Sequence, residues 1–436
     1  MYFWPIMFPD FQYLFQTLFN APMPEWLSII KTFGFFVALA FIAAAITLGK
    51  ELTRKEKLGL LLPEFKKVLV GQAATKTELF LSALLGFVVG YKIGGFFGHA
   101  ADISPDPMTY VFSLKGNIFV GIAGAALLTY SRYAEKKKHQ LAQPELRQQA
   151  TYPHDRIADI VVITLIGGLI GAKVFNAFES WDQFVKDPVG NLISSSGLTF
   201  YGGFIVAIAL VYYYAKRHRI NLIHLSDAGA PGLMLAYGIG RLGCQFSGDG
   251  DWGIFNSAYM TAPGKTSLMH IDKGFFDKMV ANHSSLNYLS GAPSTYFKAP
   301  SWLPDWTVAM NFPHNVNHEG IAINGCTGTY CNVLPAGVFP TSLYEAITCI
   351  LLFVVLWSIR KRMKYPLHLF GIYLILNGLE RFFVEKIRVN YKYDLGFIHP
   401  TQAEIISTLL VIAGLCILLF YKKKAVPVAT DTPLTE

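Results

Sequence analysis

A chain of 436 residues that is 53% hydrophobic, 14% aromatic and only 15% charged carries more apolar surface than one water-soluble core can bury. Its net charge of +8 does not signal nucleic acid, because the basic residues sit between apolar stretches instead of forming one continuous patch. Composition therefore excludes a soluble globular domain and points to a bilayer as solvent.

In chain order, residues 1–25 come first. They are rich in aromatics but lack a charged n-region and a small-residue cleavage site, so they read as a retained outer interfacial arm with Trp4, Phe8 and Tyr13 at headgroup depth. Nine apolar stretches follow, near 29–49, 79–98, 116–133, 157–176, 197–215, 227–246, 340–359, 367–384 and 402–421. Their lengths suit a hydrocarbon core of roughly 30 Å at about 1.5 Å per helical residue. The expected fold is all-α: a polytopic membrane protein of about nine transmembrane helices.

Basic residues mark alternate loops. They crowd Lys50, Arg54, Lys55, Lys57, Lys66 and Lys67, then Arg132 and Lys136 to Lys138, then Lys216, Arg217 and Arg219, then Arg360, Lys361, Arg362 and Lys364, and finally Lys422 to Lys424. The positive-inside rule places these loops and the C-terminus in the cytoplasm and the N-terminus outside. The resulting division is the arm 1–25, a first helix and basic loop 26–67, an inserted hairpin 68–150, a core 151–253, an extracytoplasmic segment 254–338, the last helices 339–424 and a disordered tail 425–436.

The inserted hairpin repeats its successor. Shifting the chain by 81 residues lays 84–134 on 165–215 without a gap, matching Gly86, Gly90 and Lys92 to Gly167, Gly171 and Lys173, Asp106-Pro107 to Asp187-Pro188, and Ser113, Gly116, Phe119 and Gly121 to Ser194, Gly197, Phe200 and Gly202. Paired glycines, lysines and Asp-Pro exceed what generic hydrophobicity repeats, so duplication of a helical hairpin is expected. Among the cysteines, Cys349 and Cys416 lie in apolar helices and read as small core residues. Cys326 and Cys331 close a short loop in the segment placed outside, where a disulfide is expected.

Three constellations carry chemistry. GRLGCQFSGDGDWG, 240–253, places Arg241 among glycines at the outer end of the sixth helix. An ionised residue near membrane depth marks a functional site, and a guanidinium fork suits a phospholipid phosphate. Asp249 and Asp251 are candidate partners, and Asp227 begins the same helix. ERFFVEKIR, 380–388, spaces Arg381, Glu385 and Arg388 along one helical face, where a carboxylate can hold two guanidiniums. GLTFYGGF, 197–204, sets the Tyr201 phenol beside Gly202 and Gly203.

Together these motifs resemble the prolipoprotein diacylglyceryl transferases. The signature of that family is similar to GRLG with the glycine- and acid-rich turn after it; its R-x-x-V-E-x-x-R is met by Arg381, Val384, Glu385 and Arg388, its P-x-x-L-Y-E by Pro340, Leu343, Tyr344 and Glu345, and its S-D-x-x-A-P approach by Asp227, Ala230 and Pro231. The resemblance covers about 26–60 and 157–421. It departs at F-H-G-G, where Tyr201 stands for the histidine, and at the signature asparagine and glutamate, where Asp249 or Asp251 must supply the carboxylate.

The resemblance implies a bacterial inner-membrane enzyme of lipoprotein biosynthesis. Its partners would be phosphatidylglycerol and prolipoprotein signal peptides carrying a lipobox cysteine, whose thiol takes the diacylglyceryl group as glycerol phosphate leaves. The catalytic candidates are Arg241, Arg381, Tyr201 and Glu385. Arg241 also counts among the substrate-binding candidates, with Gly202, Gly203, Gly243, Asp249 and Arg388. No metal, cofactor or nucleic acid is expected. Two other classes fit parts of the pattern: a secondary anion transporter, suggested by the repeat and the buried arginines, and a non-catalytic lipoprotein-binding membrane protein.

Overall fold

In the computed structural model, residues 7–98, 110–111, 113–194, 197–282, 291–390, 392–394, 396 and 399–422 are described. Trp4, the Asp106-Pro107 pair and the 425–436 tail lie outside these residues. The principal helices are α1 (Phe11–Phe19), α2 (Thr32–Lys57), α3 (Lys76–Gly98), α4 (Ile118–Lys138), α5 (Ile157–Glu179), α6 (Phe200–Arg217), α7 (Leu222–Ser247), α8 (Phe275–Asn282), α9 (Thr341–Ile359), α10 (His368–Glu385) and α11 (Gln402–Phe420). Each apolar stretch of the sequence falls on one of the long helices.

Among the described residues, five of these segments have the length and apolarity to cross a bilayer: Thr32–Lys57, Lys76–Phe96, Pro153–Glu179, Thr341–Arg362 and Gln402–Phe420. Their apolar side chains stay largely unburied by protein, as in Phe80, Leu85, Leu165, Leu351 and Leu409. A helix with an apolar outer surface satisfies its backbone internally and suits lipid, not water. The chain is thus a polytopic membrane protein.

It divides into two compact units. One contains Met1–Ala21, Ile30–Glu51 and Ile223–Val426, and the other is built chiefly from Leu52–Leu222. In the second unit α3 packs on α4 and α5 on α6 through glycines. A Cβ at Gly86 would meet the Gly124 carbonyl oxygen at 2.3 Å, and one at Gly171 would meet that of Gly202 at 2.4 Å. Small residues let two apolar helices approach backbone to backbone. Each hairpin also carries a lysine clasp. Lys92 donates to the carbonyl of Tyr110 at 2.9 Å and to that of Ser113; Lys173 donates to the carbonyl of Asn191 at 3.0 Å and to the Ser194 hydroxyl at 3.3 Å. Donors and acceptors alike are offset by the same 81 residues that relate the two stretches of sequence. On either side of the first hairpin in sequence, strands β1 (Glu64–Val70) and β2 (Glu145–Thr151) pair antiparallel, with Val68 opposite Arg147.

In the first unit, the all-α expectation gives way in the segment 254–338. There β3 (Phe255–Thr261) pairs antiparallel with β4 (Leu268–His270) and β8 (Ala336–Val338), and parallel with β5 (Ser294–Thr295); β6 (Ile321–Ala322) pairs with β7 (Asn332–Val333). Most of these strands are too short to show alternation in sequence. Met260, Ile271, Phe276, Val280 and Ala336 form a core beneath them. Cys326 and Cys331 are joined by a disulfide. Cys349 is buried, whereas Cys416 is exposed on α11 and is no core residue. The N-terminal arm does more than lie flat: Met7 enters a core with Met310, Phe312, Leu334 and Val338, and Phe8 stacks on Phe246 at 5.3 Å. Asp227 caps α10 from a distance in sequence, its carboxylate accepting from the backbone N–H of Leu367 at 2.8 Å and of Phe370 at 3.0 Å.

Candidate active site

The C-terminal half of α7 brings Arg241 into the first unit. After α7 the chain turns through Gly248 and Gly250, at φ +64° and +91°, a backbone that only glycine adopts without strain. The turn returns Asp251 to Arg241, which donates to it through Nη1. Arg241 also forms an ion pair through Nε with Glu345 on α9 at 2.8 Å, and its guanidinium lies 5.3 Å from the centre of the Tyr237 ring one turn back.

Glu345 is the hub. Its side chain is wholly buried; one oxygen accepts from Arg381 Nη1 at 2.6 Å and from the Tyr237 hydroxyl at 3.2 Å, and the other lies in ion-pair range of Arg241 and of Arg388 Nη1, the latter at 3.6 Å. Glu345 was legible as part of P-x-x-L-Y-E, yet it carried no site role in the sequence reading. The missed signal was a lone carboxylate inside an apolar helix, which is expensive unless paired.

The ladder expected along α10 forms only in part. Glu385 holds Arg381 at 3.0 Å, but its second oxygen accepts from Asn390 at 2.6 Å instead of reaching Arg388. The helix ends at Glu385, so the i+7 spacing no longer shares a helical face. Arg388 lies instead on a bridge to Gly253 and pairs with Asp251. The Nε of Arg388 is buried without a hydrogen-bond partner among the described residues.

The two aspartates of the turn differ. Burial raises the Asp251 carboxyl, but Arg241 and Arg388 outweigh it and hold Asp251 below the ordinary value of 3.8. Burial raises Asp249, and the charge of Asp251 pushes it up further. Asp251, not Asp249, is the carboxylate that pairs with the arginines. Cys244, Asp249 and Asp251 bring possible ligand atoms within 4.8 Å of one another, but two guanidiniums already occupy Asp251 in the place of a cation.

The signature glycines make close approaches to protein. A Cβ at Gly243 would meet the Phe36 Cβ at 3.0 Å, so this residue seats α7 on α2. Tyr201, Gly202 and Gly203 belong to the second unit, at the start of α6. There Gly202 lies against Phe175 and Gly203 against the Gly168 carbonyl, with Cβ distances of 2.3 and 2.7 Å.

Fold and site define a polytopic membrane protein with a buried arginine–carboxylate centre, suited to holding an anionic group among apolar helices. The sequence profile of the prolipoprotein diacylglyceryl transferases matches residues 117–420, starting inside the stretch set apart above as an insertion. A phosphatidylglycerol–prolipoprotein diacylglyceryl transferase of Chlorobaculum tepidum is 26% identical over 330 residues, covering 72% of this chain and 90% of the relative. Proteins of the same name from Staphylococcus haemolyticus and Xylella fastidiosa are 25% and 26% identical, covering 66% and 65% of this chain and 80% and 82% of their own length. The chain belongs to the prolipoprotein diacylglyceryl transferase family, and with it to the membrane transferases.

Proposed function

We propose that the protein transfers the diacylglyceryl group of phosphatidylglycerol to the lipobox cysteine thiol of prolipoproteins at the outer face of the bacterial inner membrane. The thiol sulfur bonds to the glycerol carbon, the carbon–oxygen bond to phosphate breaks, and glycerol phosphate leaves with the electron pair. All nine long helices cross the bilayer in this reading, with the N-terminus outside and the arginine centre near the outer surface.

The observation that carries the reading is the convergence of Arg241, Arg381 and Arg388 on Glu345, with the buried Arg388 Nε–H left to donate to an anionic oxygen. Preorganised donors stabilise the charge that grows on the phosphate in the transition state and need not reorganise as it forms. Glu345 and Glu385 fix Arg381 through two donors, and Asp251 does the same work between Arg241 and Arg388. Tyr201 is the proposed acceptor of the thiol proton. A phenol of ordinary pKa about 10 needs a nearby cation to act in this way.

The test is purified protein in phosphatidylglycerol-containing nanodiscs with a lipobox peptide, followed by mass spectrometry. A thioether-linked diacylglyceryl peptide is expected. A transporter or a lipoprotein-binding scaffold yields none, and its absence from a folded preparation sinks the reading.

A further inference from the structure

Beside the arginine centre lies a buried acid that the mechanism above leaves unused. Glu380 is 6% exposed, and both its carboxylate oxygens are buried without a hydrogen-bond partner among the described residues. Its neighbours differ: Glu345, Glu385 and Asp251 each hold guanidiniums. Glu380 continues the α10 stripe of Tyr373 and Leu376, which packs against Tyr237 on α7 and Cys349 on α9. The groups that face it are therefore Tyr237 and Arg241 from α7, Glu345 and Cys349 from α9, and Arg381 and Arg388 from its own segment. From α11, Glu404 is engaged by Lys386 and by the backbone N–H of Thr401.

Among the described residues the three guanidiniums are held by Glu345, Glu385 and Asp251, and neither oxygen of Glu380 has a hydrogen-bond partner. A buried acid in that position keeps its proton. We propose that Glu380 is the proton donor of the transfer reaction, giving its proton to the phosphate oxygen as the glycerol carbon–oxygen bond breaks. The proposal rests on the transferase reading. It also follows the proton: the thiol loses one as its sulfur bonds to carbon, and the departing phosphate oxygen gains one from Glu380. Glu380 supplies that proton during bond cleavage, and the proton lost by the thiol restores Glu380 between turnovers. Glu345, Glu385 and Asp251 are each engaged by arginines, unlike Glu380.

Glu380→Gln keeps the size and the hydrogen-bonding atoms but cannot donate a proton to a leaving group. In the nanodisc assay with phosphatidylglycerol and a lipobox peptide, its kcat should fall by about 10²- to 10³-fold, with little change in the KM for lipid. Wild-type kcat should decline at alkaline pH as Glu380 loses its proton. Glu380→Asp should keep that decline at a lower rate, and Glu380→Gln should lack it. Wild-type turnover in Glu380→Gln with the alkaline decline intact overturns the proposal. So does a rise in KM matched by loss of folded protein in both variants, which makes Glu380 a support for the arginines. A wild type that forms no thioether removes the transferase reading and this inference together, whereas an active wild type beside an unchanged Glu380→Gln removes the inference alone.

Discussion

Arg241 uses two different edges of its guanidinium, Nη1 toward Asp251 and Nε toward Glu345. Lysine keeps the charge but cannot span both carboxylates. Arg241→Lys is therefore expected to lower turnover by about 10²- to 10³-fold, the usual cost of losing one preorganised donor. Kinetics on purified enzyme are the check, and a fully active Arg241→Lys protein reduces Arg241 to an anchor. Asp251 gives a pH signature. Its carboxyl is held below 3.8, so its stabilising contribution is complete above that value and disappears as pH falls through the depressed one. The gap in thermal stability between wild type and Asp251→Asn should be constant at neutral pH and close only in acid. A gap that closes near neutrality instead would show that Asp251 is not the ionised partner. At this scale the sequence disclosed the participants, since Arg241, Arg381, Glu385 and Arg388 stand in recognisable motifs. It did not disclose the pairing, because Glu345 and Arg241 are brought together by two helices packing, and nothing local to either motif encodes that meeting.

At the scale of elements, the paired hairpins show what the glycines do. Gly167 and Gly171 repeat Gly86 and Gly90, and the clasps of Lys92 and Lys173 repeat with them, which we attribute to duplication of one hairpin. A lysine at the end of an apolar helix needs acceptors, and the carbonyls of the following turn supply them without water. Gly171→Val should force α5 and α6 apart, because its Cβ would lie 2.4 Å from the Gly202 carbonyl oxygen, while Gly168→Ala has 4.0 Å of space to the nearest atom. Detergent-solubilised yield in size-exclusion chromatography should drop for the valine variant and hold for the alanine one. Equal yields would mean that the hairpin tolerates separation. The offset of 81 residues was legible without coordinates; the use of Gly202 and Gly203 in helix packing was not, since a glycine beside a tyrosine looks the same whether a ligand or a helix approaches it.

For the whole molecule, the proposed orientation rests on the alternating basic loops. Membrane-impermeant thiol reagents applied from outside should label engineered cysteines within 260–320 and miss those within 136–146. The reverse pattern would move the arginine centre to the cytoplasmic side and remove its access to exported substrates. Length of apolar runs, segregation of basic residues and motif order were enough to establish a helical membrane protein of this family, because a bilayer imposes its demands on each segment separately: enough apolar length, and every backbone group bonded within the helix. The sheet of 254–338, the hub at Glu345 and the carboxyl of Glu380, without a hydrogen-bond partner among the described residues, were settled only by tertiary structure. Short strands pair with distant strands, and a buried charge is paired or orphaned according to what other helices bring to it, so neither property is written in any single stretch of the chain.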